Sequence, residues 1–154
     1  MTTPTLSEIK ATQEKLANMI ASFEEQAKTQ ATHLVLREAY IELQPGERYA
    51  GLVLGDDGMP AHHLVLLPGQ ANESNWADAK AWAAAIGGEL PTRREQALLF
   101  ANLKGAFEAS WYWSAEDHEG DGSCAWLQNF SYGSQTGTHK SYEGRARAVR
   151  RFTA

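Results

Sequence analysis

Apolar residues recur at helical spacing near the start of the chain. They follow alternating intervals of three and four residues, the spacing of a coiled-coil seam, with Gln13 as a polar interruption. The pattern predicts an amphipathic helix over residues 6–30. Its seam consists of Leu6, Ile9, Leu16, Ile20, Phe23 and Ala27. Two arrangements remain open: a short coiled coil that joins copies of the chain, or a helix that packs on its own domain.

After residue 32 the pattern changes to period two and to residues that favour strands. Three strands are predicted, over residues 33–43, 49–55 and 62–68. Between the last two lies Asp56-Asp57-Gly58-Met59-Pro60, a turn sequence, because glycine tolerates positive φ and an aspartate can bond to the turn backbone. Residues 49–68 are therefore predicted to form a hairpin.

Two helices with clear boundaries follow. Asn75 is a predicted cap for a helix that runs to Ile86 and ends at Gly87-Gly88, and its buried face comprises Trp76, Ala79, Trp82 or Ala83, and Ile86. The second helix begins at Thr92, where the spacing to Glu95 is that of a capping box, and it ends near Gly105.

The last third of the chain contains three further strand-like runs, at 111–116, 124–130 and 145–152. Trp113, Cys124 and Trp126 are the predicted core residues of this part. The chain is thus expected to consist of an N-terminal helix over residues 1–32 and a mixed α+β domain over residues 33–154.

Composition excludes several classes of protein. The chain has 154 residues, 43% of them hydrophobic, which is enough for one folded core. Its net charge of −5 disfavours general nucleic-acid binding. A single cysteine, Cys124, provides neither an internal disulfide nor a thiolate zinc cluster. The sequence shows neither a secretory signal nor a membrane span, so no membrane insertion is expected.

Several motifs in order resemble the Lcl C-terminal domain family. They are W-x-x-A at Trp76 and Ala79, G-G-E-L-P-T-R-R-E at 87–95, W-Y-W-S at 111–114, A-W-x-x-x-F at 125–130 and R-A-V-R at 147–150. The resemblance covers residues 49–152. Its specificity comes from the order of the motifs, since each one alone is weak.

The resemblance implies a C-type-lectin-like fold, in which two helices pack on small antiparallel sheets and a long irregular loop region presents a variable ligand surface. It also implies a phage or prophage origin. The family is related in architecture to formylglycine-generating enzymes, which need a pair of cysteines, and Cys124 alone does not provide that pair. Helical stalks that trimerise are common beside lectin-like domains, so the resemblance favours a homo-oligomer, with a trimer preferred.

The segment from Asn129 to Tyr142 carries the clearest signal of ligand binding. It is rich in Tyr, Ser, Gly, Asn and Thr, the residues of recognition loops. The predicted ligand-binding residues are Trp111, Asn129, Ser131, Tyr132, Ser134, Gln135, Thr136, His139 and Tyr142. An ordinary solvent-exposed loop is the alternative interpretation.

Metal sites are weaker hypotheses, and no cofactor is predicted. Asp117, Glu119 and Asp121 alternate as in the first half of a calcium loop, but Gln128 at the twelfth position cannot provide a bidentate carboxylate. The alternatives are a weak divalent-cation site, calcium for instance, and a solvated acidic hairpin. His118 and His139, expected in loops, provide a still weaker zinc hypothesis.

Catalysis is the least favoured hypothesis. Glu116 or Asp117 could serve a hydrolase only in a closed cleft that raises the pKa of the carboxyl. Glu95 is better explained as a capping partner. Arg147 or Arg150 is expected to pair with an inward-facing acid, and a local contact of the C-terminal arginines with an anion stays open.

The sequence therefore predicts a non-enzymatic module that recognises a protein or glycan through the 116–145 loop region, as a receptor-binding or adhesion protein. The alternative is an intracellular phage or prophage protein that binds and blocks a host protein. Without a signal peptide the chain is expected to be made in the cytoplasm, and either to stay there or to join a virion.

Overall fold

The computed structural model describes residues 2–154, and the chain divides into two compact units with a boundary between Val35 and Leu36. The N-terminal unit contains one helix, α1 (Leu6–Thr29), of 24 residues. Thr5 caps it, and Thr5 and Glu8 form a capping box. None of its residues is buried, so the apolar seam is exposed along its whole length.

The strand predicted over residues 33–43 is wrong. These residues form neither helix nor strand, and most of them are exposed. Their alternating pattern suits a strand, but a strand forms only where a neighbour shares its backbone hydrogen bonds, and no strand pairs with this segment. Its large exposed apolar side chains are Leu34, Val35, Leu36, Tyr40 and Leu43.

The rest of the C-terminal unit is a mixed α+β fold with two sheets. Its helices are α2 (Trp76–Ala85) and α3 (Arg93–Leu103), the latter followed by a short 3₁₀ turn (Lys104–Ala106). Its strands are β1 (Arg48–Leu54), β2 (Pro60–Leu66), β3 (Ala71–Ser74), β4 (Trp111–His118), β5 (Asp121–Asn129), β6 (Gln135–His139), β7 (Gly144–Ala146) and β8 (Val149–Thr153). One sheet has the order β1-β2-β8, and the other has the order β3-β7-β4-β5-β6.

The predicted hairpin is confirmed. Strands β1 and β2 pair antiparallel, and Gly58 in the turn has a φ of +76°, which a glycine adopts without strain. The two predicted helices are also confirmed, with Asn75 and Thr92 as their caps. Trp76, Ala79 and Ala83 are the buried residues of α2, whereas Ile86, expected on the same face, is exposed.

The run at 145–152, predicted as one strand, is two strands in different sheets. Strand β7 pairs with β3 and with β4, whereas β8 pairs with β2 in the other sheet. The run therefore links both sheets. Strands β3 and β6 were not predicted, because the first is short and polar and the second is the polar sequence Gln-Thr-Gly-Thr-His.

Two apolar clusters form the core of the C-terminal unit. One lies between α2 and the five-stranded sheet and contains Trp76, Trp113 and Leu127. The other joins α3 to both sheets and includes Leu99 and Tyr112. Trp113 is fully buried, as predicted. Cys124 and Trp126, also predicted as core residues, are only partly buried.

Candidate binding surface

In the middle of β5 one face is buried and the other is partly exposed, and the neighbouring strand β6 has no buried residue. On β5, Ala125 and Leu127 point into the core, so Trp126 between them lies on the opposite face. Trp126 pairs with Gly137 of β6. Here we call this outer surface, with the adjoining ends of β4 and α3, the Trp126 face; it comprises Arg93, Glu116, His118, Glu119, Trp126 and Gln135.

The Trp126 ring is held by three neighbours. The guanidinium carbon of Arg93 lies 3.5 Å from the ring centroid. The His118 ring stacks at 4.7 Å between centroids, with 24° between the planes. The indole N–H donates to Glu119 at 2.9 Å. The aromatic centre of this face is therefore ordered before any ligand arrives.

Gly137 makes room for His118. A Cβ atom at this position would overlap the His118 ring, at Cδ2. The glycine is therefore required by close packing, and its loss would move the ring that stacks on Trp126.

A chain of glutamine amides connects Arg93 to the core. The Nε–H of Arg93 donates to Gln135 at 2.9 Å, and the Gln135 amide donates to the Arg93 carbonyl at 2.8 Å and to Gln128 at 2.7 Å. Gln128 is buried and donates to the Gln96 carbonyl at 2.9 Å. Because these groups bond to one another, the Arg93 side chain has a fixed position.

An open cleft of about 590 Å³ lies beside Arg93. Its lining residues are Arg93, Arg94, Ala97, Glu116, Gln128, Gly133 and Gln135. Glu116 accepts a hydrogen bond from the backbone N–H of Arg93 at 2.6 Å, which satisfies one free donor at the start of α3. Arg94 is bonded to the Leu54 carbonyl and to Asp56, at 2.7 and 2.6 Å.

The region 116–145, expected to be irregular apart from a strand at 124–130, consists largely of strands joined by short turns. Asn129 organises the turn before β6, because its side-chain oxygen accepts from the N–H groups of Ser131 and Tyr132 at 2.7 and 3.1 Å. In the same turn, Ser134 is exposed and Tyr132 is 85% exposed. Of these predicted ligand-binding residues, Tyr132 presents the largest free side chain.

The other predicted ligand-binding residues are not grouped at one place. Gln135, Thr136 and His139 lie on β6, and the Gln135 side chain is bonded within the protein. Trp111 packs against the core cluster near α2. Tyr142 follows β6, at the opposite end of that strand from Tyr132, and its ring meets Trp113 edge-on with 6.2 Å between centroids.

The acidic residues of the β4–β5 hairpin each have a separate partner. Asp117 pairs with Lys140, and Asp121 accepts from the Ser123 hydroxyl at 2.6 Å. Hydrogen bonds from the hydroxyl and backbone N–H of Ser123 and from the Cys124 thiol lower the pKa of Asp121. Hydrogen bonds from the backbone N–H of Glu119 and from the Trp126 indole lower the pKa of Glu119. Within residues 2–154, no group of three or more His, Cys, Asp or Glu side chains is placed to hold a metal ion.

The positions of these residues bear on two hypotheses, the zinc site and the hydrolase. His118 and His139 end strands β4 and β6 and are not in loops. Glu116 and Asp117 are exposed on β4, so the closed cleft that the hydrolase hypothesis requires is not formed around them. The calcium hypothesis for Asp117, Glu119 and Asp121 stays a prediction.

The arginines of the C-terminal strands act mainly within the fold. Arg150 pairs with Glu47, as expected of an inward-facing acid, whereas Arg147 donates to the carbonyls of Ala106 and Leu67. Arg151, for which the sequence predicts no acidic partner, binds Glu95 through two nitrogens at 2.7 and 2.8 Å. The capping role of Glu95 is confirmed.

Sequence reasoning missed Arg93, considered His118 only for a weak zinc site, and placed Trp126 in the core. Cys124 to Leu127 is a continuous apolar run, so the sequence did not show which of its side chains face out; only the burial of Ala125 and Leu127 places Trp126 on the other face. Nothing in the sequence brings Arg93 to the same surface, because α3 and β5 are distant along the chain.

The comparisons with known proteins leave the family open: neither a scan against protein-family models nor a search of curated proteins found a match for this chain. The resemblance to the Lcl C-terminal domain family therefore stays a prediction. Among the described residues, none of the helices has the length and apolar character needed to cross a membrane.

Proposed function

We propose that this chain is a non-enzymatic binding module with a C-type-lectin-like fold, of the phage or prophage type, and that it recognises a protein ligand through the Trp126 face. The observation that carries the proposal is the ordered stack of Arg93 and His118 on the partly exposed Trp126 ring, beside an open cleft. Receptor recognition at a host cell is the specific form of the proposal.

The residue types on this face support the proposal. Tryptophan, tyrosine and arginine are the residues that most often carry the binding energy of protein interfaces. Tyr132, beside the cleft residue Gly133, adds an exposed aromatic side chain. Because Arg93 and Trp126 are already immobilised, a ligand would not need to order them, which lowers the entropic cost of binding.

The test is capture of a ligand by the immobilised full chain, from bacterial envelope and cytosolic fractions in separate experiments. We expect Trp126→Ala and Tyr132→Ala to lose a ligand that the unchanged chain enriches. Tyr49→Ala is the matched control, since it removes a partly exposed aromatic ring from the other sheet. Capture that survives Trp126→Ala would contradict the assignment of this face.

The fraction that yields the ligand decides between the two forms of the hypothesis. A ligand from the envelope supports receptor recognition, whereas one from the cytosol supports the alternative, a protein that blocks a host protein inside the cell. Gly137→Ala provides a second variant that leaves Trp126 unchanged. It is expected to weaken capture, because the added methyl group displaces His118.

We further propose that α1 joins copies of the chain, with a trimer as the preferred state. All the large apolar residues of its seam are exposed, and their spacing matches a coiled coil; they are Leu6, Ile9, Leu16, Ile20 and Phe23. Analytical ultracentrifugation of the full chain tests this. Ile20→Asp should yield a monomer, whereas Asn18→Asp, which adds the same charge off the seam, should not. Equal monomer masses for all three proteins would contradict the proposal.

A further inference from the structure

Arg93 has a fixed side chain whose outer end is unoccupied. Stacking on Trp126 and the bond from Nε to Gln135 hold the plane of the guanidinium group. Within the described part of the chain, no acceptor bonds to either of its terminal nitrogens. Arg93 lines the open cleft. The end of the side chain that carries two parallel donors is therefore available to a ligand.

Several arginines packed against the fold, unlike the exposed Arg37 and Arg48, use their terminal nitrogens within the protein. Arg147 donates to two backbone carbonyls, and Arg151 binds two carboxylates. Arg94, next to Arg93 on α3, is bonded to Asp56 and to the Leu54 carbonyl. Arg94 lines the same cleft, but each of its terminal nitrogens already donates one hydrogen bond, whereas neither terminal nitrogen of Arg93 does.

Neither acidic residue of the Trp126 face accepts a hydrogen bond from this group, although Glu119 lies close enough to interact with the Arg93 charge. Glu116 accepts from the backbone N–H of Arg93, and Glu119 accepts from the Trp126 indole. Gln128 and Gln135 are bonded to each other and to backbone carbonyls. The two terminal nitrogens of Arg93 therefore have no hydrogen-bond acceptor among the described residues that line the cleft.

On this basis we propose that Arg93 binds the carboxylate of an aspartate or glutamate side chain on the protein ligand. The inference rests on the proposed function and names the ligand group that the site recognises. A planar guanidinium group fits a carboxylate through two parallel N–H···O bonds, and the charge makes each bond stronger than a neutral one. An acidic sugar is a poorer fit, because Arg93 and His118 already occupy the Trp126 ring on which a sugar would stack.

Nitrogen-15 NMR on the full chain tests the inference with small probes at constant ionic strength. The reporters are the Nε–H of Arg93 and the indole N–H of Trp126. The first probe is N-acetylglutamate α-amide, and its neutral isostere N-acetylglutamine amide is the control. We expect saturable shifts with the glutamate probe and about tenfold weaker binding, or none, with the glutamine probe.

Substitutions of Arg93 test whether this residue causes the NMR response to the glutamate probe. Arg93→Gln removes the charge, and Arg93→Lys keeps the charge but removes the planar fork, so both should weaken glutamate binding about tenfold or more. Arg48→Gln removes the same charge from an exposed residue of β1 that does not line the cleft, and it should leave the response unchanged. Dispersed spectra that match the parent protein show that each variant is folded.

Three results would overturn the inference: no response to the glutamate probe, a response that both Arg93 variants retain, or tighter binding of glucuronate than of the glutamate probe. The last result would favour an acidic glycan. Failure here is distinguishable from failure of the proposed function, because the function is tested by ligand capture with Trp126→Ala, which needs no carboxylate probe.

Discussion

The chain uses the same helix start twice, in regions with different surroundings. In α1 the Thr5 N–H donates to Glu8 at 2.7 Å, and in α3 the Thr92 N–H donates to Glu95 at 2.8 Å. In both places the threonine hydroxyl accepts the return bond from the N–H of the glutamate. The short motif sets the first turn in the same way in both helices.

What differs is the environment of the two glutamates. Hydrogen bonds from the backbone N–H and then the hydroxyl of Thr5 lower the pKa of Glu8, which is exposed. Burial alone would raise the pKa of Glu95, but bonds from Arg151, Thr92 and His62 outweigh it and lower the pKa to about 2. Local sequence thus determines where a helix begins. How much the same capping glutamate stabilises the fold depends on the elements packed around it.

The largest expected effect on stability comes from replacing a leucine by alanine, made once in each region. Leu99 of α3 is fully buried, and Leu16 of α1 is 56% exposed. Leu99→Ala is expected to lower the free energy of unfolding of the C-terminal unit by about 2–5 kcal/mol, through lost burial and a cavity. Leu16→Ala should leave that free energy unchanged. Tryptophan fluorescence during urea denaturation measures it, because all five tryptophans lie in this unit.

An equal loss of stability in both variants would contradict the comparison. It would mean that the α1 seam packs on the C-terminal unit in solution and contributes to the same cooperative transition. Leu16→Ala is expected instead to weaken the proposed oligomer, which ultracentrifugation of the same samples would detect.

The comparison also shows which parts of the fold the sequence could predict. Caps and turns were predictable because they depend on neighbouring residues: Asn75, Thr92 and Gly58 lie where their types require. Which segments pair as strands was harder to predict from the sequence. Residues 33–43 have the stronger strand pattern and form no strand, whereas the polar β6 forms one because β5 lies beside it.

For the candidate site, sequence reasoning identified the region but not the residues that share a surface. Tyr132 was expected to be available, and it is exposed. The sequence places Arg93 only in the first turn of a helix, and its contact with Trp126 depends on how α3 packs against β5. Such contacts between distant segments leave no periodic signal in one sequence.

The second prediction compares how far the two capping glutamates make the stability of the C-terminal unit depend on pH. Because the pKa of Glu95 falls from 4.5 to about 2 on folding, its contribution is fully present above pH 4.5 and is lost as the pH falls towards 2. The shift corresponds to about 3 kcal/mol. Glu95→Gln is therefore expected to cost about 2–3 kcal/mol at pH 7 and to flatten the dependence of stability on pH in that window.

Glu8→Gln is the matched control for that experiment. It makes the same chemical change in the same motif, at an exposed position of α1. We expect no change in the tryptophan-detected unfolding of the C-terminal unit at any pH. Parallel pH profiles for Glu95→Gln and the parent protein would show that the contacts with Arg151 and His62 do not stabilise the carboxylate.

The smallest effect concerns the caps themselves. Thr92→Ala removes the hydroxyl that accepts from Glu95 at the start of α3, and Thr5→Ala removes its counterpart in α1. Loss of a threonine cap costs about 1 kcal/mol. Thr92→Ala should therefore destabilise the C-terminal unit by about that amount, while Thr5→Ala should leave its unfolding midpoint unchanged and reduce only helical circular dichroism. If both variants shifted the tryptophan-detected midpoint equally, α1 would be part of the same folding unit as α3, and the difference between the two regions would lie in burial alone.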